Sequence, residues 1–188
     1  MTRSALKVGG TGLGSDTPIR VMMADDDRND HLLLVMAADA AGIRAEFEFH
    51  DDGSHLLLRL AQLDSRQDLP DIIVLDLRMP GMHGLRTLEV LSDHPILWRV
   101  PVVVFTSSTR HSDAAAALQR GARWVETKPG DFGGLVEFTR SLVDRVNSIT
   151  DSTADDTRGG VDEWTLASYR ADTIADIEDE LLFRFPEL

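Results

Sequence analysis

A set of polar groups stands where strand-like runs end. Asp25 and Asp26 follow "IRVMMA", Asp76 follows "DIIVL", Thr106 closes "VPVVVFT", and Lys128, just before Pro129, follows "RWVET". Carboxylates directed into one pocket repel each other and raise their own pKa values unless a cation is present. An all-oxygen cluster of this sort suits a hard divalent ion, with Mg²⁺ the natural choice. A carboxylate can also be a nucleophile that takes a phosphoryl group as an aspartyl phosphate, while a metal and a lysine neutralise the transferring oxygens. Thr106 could then hydrogen-bond a phosphoryl oxygen that is absent before reaction, a bond made in one state only, as a switch requires. Asp27 reads as a helix N-cap rather than a ligand, and Ser107 and Ser108 as loop hydroxyls without a role.

These groups need elements to position them. From Ile19 the chain alternates strand and helix patterns: "IRVMMA" then "RNDHLLLVMAADAAG", "RAEFEF" then "SHLLLRLAQL", "DIIVL" then "LRTLEVLSD", "VPVVVFT" then "SDAAAALQRGA", and "RWVET" then "FGGLVEFTRSLVDRVNSI". The first helix closes on Gly42 and the fourth on Gly121, as helices that end in a left-handed residue do. The last presents Phe132, Leu135, Val136, Thr139, Leu142, Val143 and Val146 on one stripe. Short strands alternating with helices imply an α/β fold, with parallel strands joined by right-handed crossovers and helices on both faces. The runs "DIIVL" and "PVVVF" are apolar throughout, as strands covered on both sides should be. Such sheets bind ligands beyond the carboxyl ends of their strands, where the polar groups stand.

The motifs "VMMADDD", "DIIVLDLRMPGMHG", "VVVFTSS" and "ETKP", in that order, resemble the receiver domain of two-component response regulators. The resemblance covers residues 18–149. The segment "SDHPILWRVPVVVFTSS" and the lack of a recognisable output domain look like the small stand-alone regulators paired with phytochrome-type histidine kinases. The resemblance implies a flavodoxin-like, doubly wound, five-stranded parallel sheet of strand order 2-1-3-4-5. It implies Asp76 as phosphoacceptor from a histidine kinase, Thr106 as switch hydroxyl and Lys128 as phosphoryl contact. It also implies Mg²⁺ held by Asp25, Asp26, Asp76 and the backbone carbonyl of Arg78, and a cis bond between Lys128 and Pro129. Pro80, Gly81 and Gly84 supply the turn that brings the loop after Asp76 back over the site. One departure stands out. Where the family often has an aromatic residue three places before the lysine, this chain has Val125, and its neighbour Trp124 must face the other way.

Residues 1–17 are expected to be a flexible leader, since the "GGTGLG" within them lacks the following helix of a dinucleotide loop. Residues 150–161 read as a polar linker, and 162–188 as an acidic amphipathic helix. Along that helix Leu166, Tyr169, Ile174, Ile177, Leu181 and Phe185 share a side, while Asp172, Asp176 and Asp179 lie opposite. It could dock on its own receiver, form a homodimer or bind a partner; docking is the favoured reading. The formal net charge is −13. Asp151 onward holds 11 acidic residues against 3 arginines, a net of −8, so the first 150 residues carry −13 − (−8) = −5. An acidic tail repels nucleic acid, so DNA is not an expected partner. There is no cysteine and no apolar run near the roughly 20 residues that span a bilayer, so a cytoplasmic protein with no membrane partner is expected. The other classes weighed are an aspartyl-nucleophile phosphohydrolase, a flavodoxin-type cofactor carrier and a phosphorylation-independent interaction module. The first needs a second acid two residues after the nucleophile, where this chain has Arg78. The second needs a phosphate-binding loop where three aspartates stand. A signalling acceptor rather than a turnover enzyme is expected.

Overall fold

Alternating βα units build the fold, seen here in a computed structural model that describes residues 5–8, 17–63, 68–94 and 97–153. In chain order the elements are β1 (Ala5–Val8), β2 (Ile19–Ala24), α1 (Arg28–Ala40), β3 (Ala45–His50), α2 (Gly53–Ala61), β4 (Ile72–Leu75), α3 (Gly84–Asp93), β5 (Val102–Thr106), α4 (His111–Gln119), β6 (Trp124–Thr127) and α5 (Phe132–Thr153). The sheet order is β1-β3-β2-β4-β5-β6. From β3 to β6 all pairings are parallel. Counted from β2 as the first strand, this is the expected five-stranded order 2-1-3-4-5.

The N-terminal expectation needs correcting. Ala5–Val8 form a sixth strand, antiparallel to β3, inside the segment read as a flexible leader. "LKV" is too short to give a periodic signal, and only pairing with the open edge of β3 makes it a strand. It does place a strand before "GGTGLG", and β2 is the next element among the described residues. At the other end α5 runs to Thr153, into the stretch read as a linker from residue 150. The remainder of that linker and the helix proposed over 162–188 lie outside the described residues.

Two apolar layers fix the sheet. On one face Met22, Ile73, Leu75, Val102 and Val104 pack against Leu56, Leu57 and Leu60 of α2, Leu88 and Leu91 of α3, and Ala117 of α4. On the other, Val21, Met23, Val74, Val103 and Phe105 pack against Leu34 and Ala37 of α1 and Leu135, Phe138 and Leu142 of α5. Both faces of β4 and β5 are therefore buried, which explains their unbroken apolar runs. Each such leucine or phenylalanine contributes about 1.5–3 kcal/mol on leaving water. Phe138, absent from the predicted stripe, stacks on Phe105 with ring centroids 4.0 Å apart, whereas Phe132 at the head of the stripe is exposed. The end signals behave as expected. Asp27 caps α1 by accepting from the Asn29 N–H, and Gly42 and Gly121 adopt φ of 71° and 96°.

At the end of β3, the His50 ring is largely shielded from water, with its Nε2 4.0 Å from Glu48 and without a hydrogen-bond partner. Glu48 is itself engaged by Arg59 of α2 at 2.6 Å. Burial pushes the His50 imidazole from 6.5 down to about 4, with the Glu48 charge opposing the shift. The folded chain thus binds this proton more weakly than the unfolded chain. The contribution of the neutral ring is whole above pH 6.5 and is lost as pH falls towards about 4. Across that window the wild type is expected to lose up to about 3 kcal/mol more than His50→Gln. Urea midpoints of the two proteins against pH measure it, and parallel curves would disprove it.

Candidate metal and phosphoacceptor site

Register brings the strand-end groups together. Ala24 pairs with Leu75, and the Asp76 N–H donates to the Ala24 carbonyl at 2.9 Å, so Asp25 and Asp76 leave neighbouring strands side by side. Thr106 pairs with Thr127, and the Lys128 N–H donates to the Thr106 carbonyl at 2.9 Å. Asp25, Asp76 and Thr106 are buried, while Asp26 is exposed at the rim.

Lys128 holds the centre. Its Nζ lies 2.7 Å from Asp25 Oδ2, 2.7 Å from Asp30 Oδ2 and 3.7 Å from Asp76 Oδ2. Asp25 Oδ1 accepts from the Asp27 N–H at 3.0 Å, and the Asp25 carbonyl lies 2.8 Å from His31 Nε2, whose ring stacks on Phe49. Asp76 Oδ1 accepts from the Leu77 N–H at 2.8 Å, which leaves Oδ2 as the oxygen towards the lysine. Burial works against the charge on Lys128, but the bonds from Asp25 and Asp30 outweigh it and hold the ammonium above its ordinary value. Burial pushes the Asp25 carboxyl up, and the bond from Lys128 offsets this only in part.

That residual upward push is the test of fit for a cation. Asp25, Asp26 and Asp76 each offer an oxygen within 4.8 Å of the other two. One ammonium does not compensate these carboxylates, and the donor set is all oxygen, so a hard divalent ion fits. The loop after Asp76 turns back close against the strand end, where the Gly84 N–H donates to the Leu77 carbonyl at 3.3 Å. Gly81 takes φ of 74°, and a Cβ on Gly84 would stand 2.2 Å from the Asp76 carbonyl oxygen.

Two residues matter that the sequence reading missed. Asp30, one turn into α1, shares Lys128; the N-cap at Asp27 was the available signal, since it aims the first turn at the strand ends. Ser108, read as a loop hydroxyl without a role, is buried and accepts from Arg78 Nη2 at 3.3 Å. The Arg78 guanidinium is thus directed to Ser108 and Asp113. The expected cis bond is also corrected. Lys128–Pro129 is trans, and the ammonium reaches both Asp25 and Asp30 from that backbone. Val125 packs against the α2–α3–α4 layer, while Trp124 packs against the opposite layer, with the guanidinium groups of Arg123 and Arg145 5.3 and 5.1 Å from its ring centroid.

The sequence profile of the response regulator receiver domain matches residues 21–140, a span that holds Asp25, Asp26, Asp30, Asp76, Thr106 and Lys128. The chain belongs to this family. Among curated relatives this receiver is 30% identical over 128 residues to the probable methanogenesis regulatory protein FilR2 of Methanothrix harundinacea, covering 67% of the chain and 82% of the relative. It is 42% identical over 76 residues to response regulator PleD of Caulobacter vibrioides, spanning 40% of the chain but only 17% of PleD's length. Among solved structures it resembles response regulator RPA3017 in red light signaling of R. palustris, with 26% identity, 66% of this chain and 90% of that one covered, and a TM-score of 0.60. The phosphorylated cyanobacterial phytochrome response regulator RcpA shares the fold at 23% identity and a TM-score of 0.61, covering 71% of this chain and 96% of its own. The Mn²⁺-bound form of response regulator Rcp1 shares it at 24% identity and a TM-score of 0.57, with 66% and 91% covered. Among the described residues no helix is long and apolar enough to cross a membrane.

Adding MgCl₂ is expected to raise the thermal midpoint of the wild type, because an ion bound only to the folded state stabilises it. Asp26→Asn should weaken that binding by roughly tenfold, about 1.4 kcal/mol. Equal titration midpoints for the two proteins would exclude Asp26 as a ligand.

Proposed function

We propose that this receiver accepts a phosphoryl group from a histidine kinase on Asp76, in a Mg²⁺-dependent reaction, and changes conformation in a two-component phosphorelay. The observation that carries the reading is the approach of Lys128 to Asp76 Oδ2, 3.7 Å, beside a three-carboxylate cluster. Asp76 Oδ2 attacks phosphorus as the phosphorus–nitrogen bond to the donor imidazole breaks, and that nitrogen leaves with the bonding pair. Asp76 Oδ1 stays on the Leu77 N–H and fixes the carboxylate plane. The ammonium of Lys128 faces the transferred oxygens, and the Thr106 hydroxyl donates to one of them. Asp25, Asp26, Asp76 and the Arg78 carbonyl would hold Mg²⁺, which would supply the charge neutralisation that phosphoryl transfer requires.

The residue two places after Asp76 supports an acceptor over a turnover enzyme. Arg78 stands where a phosphohydrolase of the aspartyl-nucleophile kind carries its general acid–base, and a guanidinium does not exchange its proton at working pH. Likeness to RPA3017 and RcpA supports a phytochrome-type kinase as donor, and a cytoplasmic setting accords with such a partner.

Incubation with Mg²⁺ and acetyl phosphate is expected to add one phosphoryl group to the intact mass of the wild type and none to Asp76→Asn. Identical spectra for the two proteins would sink the reading. Sustained turnover of a generic phosphomonoester would point to the hydrolase instead.

A further inference from the structure

Between the switch hydroxyl and α4 lies a side chain that the transfer chemistry does not use. Ser108 is buried, at 8% exposure. Its N–H donates to Thr106 Oγ1 at 3.2 Å. Its Oγ donates to Asp113 Oδ2, in the first turn of α4, at 2.5 Å, and accepts from Arg78 Nη2 at 3.3 Å and from the Arg110 N–H at 3.4 Å. A serine hydroxyl has one hydrogen and two lone pairs. All three are in use here, so the group cannot shift without breaking bonds to the β4–α3 loop, the β5–α4 loop and α4 together.

We infer that Ser108 is a positioning residue that carries the state of Thr106 to α4 and to Arg78. This rests on the phosphoacceptor reading and concerns the conformational step after phosphorylation. When the Thr106 hydroxyl turns to donate towards Asp76, Oγ1 moves away from the Ser108 N–H. That bond is already at the long end of the normal range, so it breaks or drags the loop with it. Either outcome dislodges a saturated hydroxyl, which releases Asp113 from one side and Arg78 from the other. The freed pair, now 3.8 Å apart, can close on each other, and α4 re-seats at its first turn. The bond from Ser108 is also what chiefly holds the Asp113 carboxyl below its usual range, so the resting arrangement favours the ionised partner. A route through α4 suits this chain. Val125 occupies the usual aromatic place, partly buried against the core and with no ring to swing.

The test uses the full chain with Mg²⁺ and beryllofluoride, a phosphoryl mimic. Fluorine NMR reads occupancy at Asp76, and amide hydrogen exchange reads residues 111–119. In the wild type, occupancy is expected to change exchange in the first turn of α4 by roughly fivefold. Ser108→Ala should bind the mimic equally and lose most of that change, and Ser108→Thr should restore it. Asp113→Ala should uncouple α4 in the same way from outside the buried site, and it decides the matter if Ser108→Ala does not fold. A full α4 response in a folded, occupied Ser108→Ala, or in Asp113→Ala if that variant must decide, overturns the inference. So does an occupied wild type with no α4 response. Failure of the wild type to take up the mimic overturns the phosphoacceptor reading, and this inference with it.

Discussion

Charge crowding at the carboxyl edge of the sheet is the constraint on which the rest depends. Four aspartates gather there, and the described structure sets one ammonium among them. Lys128 contacts Asp25 and Asp30 at the same 2.7 Å and stands off Asp76 at 3.7 Å. In a partly desolvated site that pairing is strong, yet it is shared, and Asp25 remains pushed up by burial in spite of it. The resting edge is therefore short of positive charge. A phosphoryl group would add negative charge to a place already rich in it, and a bound cation would offset that charge. Asp26 stays exposed at the rim, where water solvates its carboxylate.

Much of this was legible in the sequence because it rests on local rules. Strands buried on both faces need apolar residues at every position, and β4 and β5 have them. A helix end needs a capping carboxylate or a left-handed residue, and Asp27, Gly42 and Gly121 supply these. The polar groups are read as a set because each terminates such a strand, and parallel pairing in register then brings them to one edge. Gly84 belongs to the same logic at shorter range, since the returning loop passes too close to the Asp76 carbonyl for any side chain.

What the sequence hid depends on long-range geometry. Ala5–Val8 become a strand only because β3 offers an unpaired edge, and no periodicity in four residues could announce that. Asp30 looks like an ordinary first-turn acid until Lys128 arrives from 98 residues away. Ser108 comes directly after another serine in a short polar loop, and only the fold shows Arg78, 30 positions earlier, reaching its hydroxyl. Phe138 lies off the stripe drawn through Leu135, Thr139 and Leu142, but a helix face wide enough to cover Phe105 must include it.

α1 shows how one rigid element can serve both stability and charge. Its inner face, Leu34, Ala37 and Ala38, is buried against β2 and α5 and fixes the helix as a body. Its first turn carries the cap Asp27 and the Lys128 partner Asp30, so the helix cannot tilt without stretching a 2.7 Å ion pair at the sheet edge. Its outer face bears Leu32, Leu33 and Met36, each at least 40% exposed, which add nothing to the core. Because the helix is held by packing along its length and by charge at only one end, the charged end is the part that can yield.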